Sequence, residues 1–415
     1  MVSPGTQEKL DQILSEAVAS KSSPALFLAV SDADGPVYSR QVGTRHFDDP
    51  SSGLIDEDTV FWLCSQTKLI TSIAALQLVE QGKITLDTAV SEVLPELANP
   101  VVVTGHDDAG KPATFTPATA QITLRQLLNH TSGLDYTLNE TPVTGPSTGL
   151  PLACTHNYKG EDVSAFFKIL KGGLPGVPLR FEPGSNFVYE FSTDCVGFIV
   201  ERLSGKSLEQ YFQEHIFAPL GITSLSFYLT PSLRDRLLPL TFRRQDGTLE
   251  RLDAPLGIDL DSAKAVHLGD VGLYGSQKDY LALLRHLLQI KSGRAVEQPI
   301  LSRTSVDALF TPTLPPVATA MMDAAVKHLL PHLDIPAGAA QFSPGLLVNT
   351  TSLLGKRSAG SGAWTGWANT FYFVDPVRGV AVVFGTQLSP PMDDTLARLW
   401  SRLEQELYAG DDADY

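Results

Sequence analysis

An α/β (α+β) fold, an antiparallel sheet flanked by helices and interrupted by an inserted, mostly helical lobe, is what this 415-residue sequence predicts. Three observations carry that reading. Clear β-favouring runs sit near both ends of the chain, the middle is helix-patterned and rich in Pro and Gly, and one helix near residue 70 is apolar on nearly every face. The sheet domain is expected from 1–90 and 270–415, the insert from 91–269, with the site in the cleft between them.

The N-terminus, MVSPGTQEKLDQILSEAVASK, alternates polar and apolar residues at helical spacing. It lacks the basic start and apolar run of a secretion signal and reads as folded structure. Pro24 to Val30 and Val37 to Val42 are strands joined by the turn formers of SDADGP, hence a hairpin. Ser65 to Glu80 is the all-round apolar helix, closed by Gly82 and therefore buried. From about Val90 to Asp270 come short helical patterns, such as Leu124 to Leu128 and Asp194 to Leu203, between long loops with few strong strand runs. The residues Ser207-Leu208-Glu209-Gln210 have capping-box spacing, and the stretch from about Asn139 to Arg180 reads as a long loop that shapes the pocket. Strands return at Thr370 to Val374 and Val380 to Gly385, followed by a last helix from about Asp393 to Leu407.

Composition excludes several functions. Lys plus Arg number 31 against 46 Asp plus Glu, and a net charge of -15 repels phosphate backbones and anionic lipid, so nucleic acid and membrane are not expected partners. No stretch reaches the roughly 18 unbroken apolar residues of a membrane-spanning helix, and a soluble cytoplasmic protein is expected. Cys64, Cys154 and Cys195 are an odd, widely spaced trio, neither a disulfide scaffold nor a zinc pattern. His328 and His332 are four apart, but Pro331 breaks their helix, and neither metal nor cofactor is expected.

Lys68 opens the chemical argument. It is the one charged side chain between Asp58 and Glu80, on the most apolar helix, where an unpaired ammonium is expensive. Ser65, three residues earlier, shares its helix face. A lysine whose surroundings favour the neutral form accepts a proton from a serine and makes it a nucleophile without histidine. Ser65 also lies at the helix N-terminus, where free N–H groups stabilise a developing oxyanion. Tyr189, delivered by the Pro183-Gly184 turn, is a phenol able to relay protons if it lies beside that ammonium, although a core tyrosine would read the same way. Gly360 to Trp367, leading into a strand, is a small-residue edge against which a substrate can lie.

Ser65-Gln66-Thr67-Lys68, Tyr189 after its Pro-Gly turn and Trp364-Thr365-Gly366 together resemble the three ordered motifs of the serine β-lactamase and penicillin-binding-protein superfamily. Ile122 to Leu134, Leu203 to Thr223 and Gly269 to Tyr280 resemble its landmarks, so the likeness covers most of the chain. The sequence is most similar to fungal lovastatin-type acyltransferases (transesterases) and to class C-like carboxylesterases, Val101 to Gly110 and the spacing from Gly360 to Gly379 resembling the transesterases in particular. The resemblance implies a β-lactamase/transpeptidase-like fold. It implies Ser65 as nucleophile, Lys68 as its base, Tyr189 as acid/base partner, and the backbone N–H groups of Ser65 and Trp367 as oxyanion hole. It further implies an acyl thioester donor, free or on a carrier protein, and a small-molecule acyl acceptor.

Two departures narrow this. Trp364-Thr365-Gly366 stands where penicillin-recognising members have Lys-Thr-Gly or His-Thr-Gly, removing the cation that meets a substrate carboxylate. Tyr189-Glu190-Phe191 lacks the usual asparagine two residues after the tyrosine. Both favour a neutral or apolar acyl group in a pocket walled by Trp364, Thr365, Gly366 and Trp367. The expected activity is acyl transfer through acyl-Ser65, with hydrolysis of esters by the same residues and a catalytically silent ligand binder as alternatives. Gly145 to Gly149 matches the GxSxG elbow but lies among Pro142, Pro146 and Pro151, and Gly205-Lys206-Ser207 lacks the first glycine of a phosphate loop. His130 is expected to order its loop.

Overall fold

The computed structural model describes residues 2–138, 150–252, 266–329, 335–391 and 393–409. Its centre is an eight-stranded antiparallel sheet in the order Ala340–Phe342, Leu347–Asn349, Gly362–Gly366, Thr370–Asp375, Val380–Gly385, Ala25–Ser31, Pro36–His46, Asp49–Leu54. Phe27 pairs with Gly385 and Ser31 with Ala381, so the two ends of the chain close one sheet. Ala25–Ser31 is buried along its whole length. Its unbroken apolar run is what a strand covered on both faces requires.

The helix Gln277–Lys291 packs on Val380–Gly385 and Ala25–Ser31, while the terminal helices Pro4–Ala19 and Asp394–Ala409 pack on each other. Trp400 of the last helix lies flat on Phe371, ring centroids 5.5 Å apart. The buried Arg357 guanidinium pairs with the buried Glu404 carboxylate at 2.9 Å, tying that helix to the loop before Gly362–Gly366.

The serine-bearing segment forms a 3-10 turn, Cys64–Gln66, that runs into the helix Thr67–Glu80, whose residues 67–78 are all buried. Its burial is completed by the helix Ser192–Ser204, which packs directly against it. The Ser207–Gln210 capping box forms as its spacing predicts, with the Gln210 N–H donating to Ser207 Oγ and the Ser207 N–H donating to Gln210 Oε1.

The middle of the chain holds more strand than its pattern predicts. Val101–His106 and Pro112–Pro117 form an antiparallel hairpin, closed by Asp107, which accepts from the Ala109 and Lys111 N–H groups. Its second strand, PATFTP, is largely exposed and bounded by prolines, so it carries no apolar alternation to read. The segment 139–180 is likewise not one loop: it carries the helices Leu152–Thr155 and Val163–Lys171. Ser147 of the GxSxG match and His332 lie outside the described residues. Among the described residues no helix is long and apolar enough to cross a membrane.

Candidate active site

Cys64, immediately before Ser65, has φ 47°, a left-handed conformation that costs a non-glycine residue roughly 1–3 kcal/mol. The surroundings impose it. The Leu63 N–H is held by the Leu273 carbonyl, and the Gln66 carbonyl accepts from the Tyr280 hydroxyl at 2.9 Å. Gly366 makes the close approach to this turn possible: a Cβ there would lie 2.5 Å from the Leu63 carbonyl oxygen. The next residue, Trp367, directs its backbone N–H at Cys64. Its half-buried ring packs on Trp62, centroids 5.6 Å apart.

Lys68 Nζ lies 3.1 Å from Ser65 Oγ and 4.5 Å from the centre of the Tyr189 ring. The serine, lysine and tyrosine named from sequence therefore meet in one place. Burial pushes the Tyr189 phenol up to about 12, against the downward pull of Lys68. The Trp364 indole N–H donates to the Tyr189 oxygen at 3.0 Å, and the two rings pack at 4.9 Å. Trp364 thus acts on the phenol itself, whereas Thr365 turns its hydroxyl onto the Thr370 carbonyl at 2.6 Å and closes the hairpin.

One expectation is overturned. Lys68 is not an isolated ammonium driven to its neutral form, because it forms a buried ion pair with Asp270 and also reaches the Asp270 carbonyl at 3.5 Å. Burial pulls the ammonium down, but the Asp270 carboxylate, with Tyr189, outweighs it and holds Lys68 above the ordinary lysine range. Asp270 is placed by Gly269, where a Cβ would sit 2.9 Å from the Thr193 carbonyl and 3.0 Å from Thr71. Only a glycine lets this segment slide between the two helices.

Asp270 is itself enclosed. Tyr136 donates its hydroxyl to one carboxylate oxygen, and the Asp270 N–H donates to Asp194 Oδ1 at 2.9 Å. Asp194 Oδ2 has no hydrogen-bond partner, and burial together with the Asp270 charge drives that carboxyl toward its protonated form. Ligand atoms of Cys154, Asp194 and Asp270 lie within 4.8 Å of one another, the one such cluster among the described residues. Lys68 already provides the positive charge there. Asp270, Asp194 and Tyr136 were not singled out from the sequence. The available signal was the lysine's need for a counter-ion, and Asp270 is the acid that opens the landmark segment Gly269 to Tyr280.

His130 adopts φ 59° and accepts the role expected of it. Its carbonyl holds the Val188 N–H at 3.1 Å and the neighbouring Thr131 carbonyl holds the Gly184 N–H at 2.7 Å, fixing the segment that carries Tyr189. Its Nδ1 lies 3.1 Å from the buried Glu190 carboxyl, in the position after the tyrosine. Burial lowers the imidazole and raises the carboxyl, so both partners are driven to their neutral forms. A cavity of about 300 Å³ lies beyond Tyr136, with Leu134, Leu138, Leu152, Ile169 and Phe191 among its apolar walls.

The chain as a whole is similar to known proteins. A model of the Beta-lactamase family matches residues 10–406. The chain is 32% identical over 411 residues to monacolin J acid methylbutanoyltransferase of Aspergillus terreus, covering 95% of this chain and 94% of the relative. It is 31% identical to the lovastatin esterase of Penicillium rubens, covering 92% and 93%. Among solved structures it is similar to a simvastatin synthase variant from Aspergillus terreus, with TM-score 0.81, 30% identity and coverage of 99% and 97%.

Proposed function

We propose, from the premise that this chain belongs to the Beta-lactamase family, that it is a serine acyltransferase. It moves an acyl group from a thioester through acyl-Ser65 to a hydroxyl or amine of a small secondary metabolite. The observation that carries the reading is the partly buried cluster in which Lys68 Nζ stands 3.1 Å from Ser65 Oγ and beneath the Tyr189 ring. Ser65 Oγ attacks the acyl carbonyl, the N–H groups of Ser65 and Trp367 receive the oxyanion, and Lys68 with Tyr189 carry the proton between nucleophile and leaving group. Release of the thiol leaves the ester on Ser65, and the acceptor repeats the steps in reverse.

The acyl group is neutral and apolar, because Trp364 uses its polar atom on Tyr189 and offers no cation to a substrate carboxylate. A carrier-borne thioester is the finer form of this reading. Faster transfer from an acyl carrier than from a small thioester supports it, and equal rates remove it. The similarity to a lovastatin esterase favours hydrolysis as the second reading, in which water rather than an acceptor takes the acyl group.

The test is intact mass with peptide mapping after mixing with a short acyl thioester, with and without candidate alcohols. An increment on Ser65 that persists in water and vanishes with an alcohol is expected. A transient increment with free acid means an esterase, and no increment from any thioester or activated ester means a ligand binder. Ser65→Ala must abolish the increment.

A further inference from the structure

We propose that Asp270 is the proton store of this site: as Ser65 attacks, its hydroxyl proton passes to Lys68 while a Lys68 proton passes to the Asp270 carboxylate. The inference rests on the acyl-Ser65 reading above and adds the residue at which the proton comes to rest. In atoms, the Oγ–H bond breaks and an N–H bond forms at Nζ. A second N–H bond breaks and an O–H bond forms on Asp270, while Oγ bonds the acyl carbon and the carbonyl electrons move to its oxygen. Lys68 is an ammonium before and after, and the negative charge has moved from Asp270 to the oxyanion.

The geometry assigns this route over its rivals. Lys68 touches Ser65 Oγ on one side and the Asp270 carboxylate on the other, so donor, carrier and acceptor form one chain. Lys68 acting alone would have to be neutral while in contact with a carboxylate that favours its charge. Tyr189 acting as the resting base would place a phenolate and a carboxylate around a single ammonium, beside a lysine and an aspartate that are themselves buried. The relay creates neither state.

The groups facing Asp270 fit a single exchangeable proton. They are Lys68 from the serine-bearing helix, Asp194 from the helix Ser192–Ser204, Tyr136 from the 134–138 segment and Cys154 from the helix Leu152–Thr155. Tyr189 and Cys64 stand beyond Lys68. Burial and the Asp270 charge raise Asp194, whose Oδ2 has no partner, whereas Asp270 is the one that pairs with the Lys68 ammonium, so the charge of this pair of acids is favoured on Asp270. Burial also raises Asp270 itself, against the opposing pull of Lys68 and Tyr136, which brings it closer to the proton it must accept.

The experiment is single-turnover acylation of Ser65 by a p-nitrophenyl ester in H₂O/D₂O mixtures, followed across pH. Two protons in flight give a downward-bowed dependence on deuterium fraction, with an acid limb above the ordinary aspartate range. Asp270→Asn slows acylation at pH 7 by about 100-fold, the lower end of general acid–base contributions. It also replaces the acid limb by a rate that climbs as the freed Lys68 loses its proton, and Asp270→Glu recovers part of the rate. A linear isotope dependence in the unmodified protein, or Asp270→Asn at the unmodified rate, overturns the proposal while leaving acyl-Ser65 intact. Failure of every ester to label Ser65 overturns the parent reading and this one with it.

Discussion

Replacing Trp364 by phenylalanine isolates the contribution of a single N–H group to the tyrosine. The ring remains to pack on Tyr189 and on Phe342, whose centroid lies 5.2 Å from that of Trp364, so the wall of the site survives. What disappears is the indole donor, 3.0 Å from the Tyr189 oxygen. That oxygen carries negative charge when Tyr189 gives its proton to a departing alcohol, and a hydrogen bond to a charged group contributes about 1.5–3 kcal/mol. At about 1.36 kcal/mol per decade this is roughly a 10- to 150-fold loss of rate, provided leaving-group departure needs that proton. An alkyl ester needs it, whereas a p-nitrophenyl ester expels a stable anion and does not. Trp364→Phe is therefore expected to lower the single-turnover acylation rate for an alkyl ester by about 10- to 150-fold and for a p-nitrophenyl ester by no more than about 3-fold, as that interaction affects leaving-group departure only in the first. The loss of a donor also moves the phenol upward, which shifts any alkaline limb due to Tyr189 upward with it. Single-turnover acylation with the two esters, enzyme in excess, decides it. Equal losses on both, or none on either, would refute the assignment of Trp364 to Tyr189.

Three further outcomes are expected. Glu190→Gln should cost less than about 1 kcal/mol, because an amide donates to His130 Nδ1 as a neutral carboxyl does, whereas breaking a buried ion pair would cost about 3–5 kcal/mol; urea unfolding distinguishes them. His286, lowered by burial to about 4, accepts from the Ile300 N–H at 3.1 Å. Since the unfolded chain binds its proton first, stability is complete above about pH 6.5 and falls by roughly 3 kcal/mol as pH drops toward 4, a slope that His286→Gln should flatten in urea titrations. Glu404→Gln strands the buried Arg357 and should remove about 3–5 kcal/mol, seen as a lower urea midpoint with Ser65 acylation by the folded protein unchanged.

The parts of the fold legible in sequence are those whose pattern repeats locally. Both long hairpins of the sheet are strong apolar runs around turn residues, and the Ser65 helix announces its burial by its lack of a polar face. The exposed hairpin partner Pro112–Pro117 was not legible, because nothing in an exposed strand distinguishes it from a loop. The same division holds at the site. Ser65 and Lys68 are three residues apart on one helix and reveal each other, and Tyr189 and Trp364 follow from the motif resemblance. Asp270 lies 202 residues beyond Lys68 and its role exists only in three dimensions. The lysine's cost of burial pointed to a missing partner, but spacing alone gives no means of choosing it among 46 acids.

The departures from the penicillin-recognising pattern form one electrostatic change. With Lys-Thr-Gly, Lys68 would share the tyrosine with a second cation, and the site would draw carboxylates. Here Trp364 removes that cation while keeping a donor on the phenol, and Asp270 neutralises the lysine that remains. Two like-charged groups about 4 Å from a ligand carboxylate would each contribute on the order of 4 kcal/mol at an effective dielectric near 20. With the second cation absent and Lys68 paired with Asp270, an anionic substrate would have little compensation for its desolvation, which is the selectivity for a neutral ester or thioester that the proposed reading expects. Glu190 extends the same logic, because its burial against His130 keeps another carboxyl neutral beside the tyrosine instead of adding charge. The serine, lysine and tyrosine can retain their chemistry while the groups around them select what may approach.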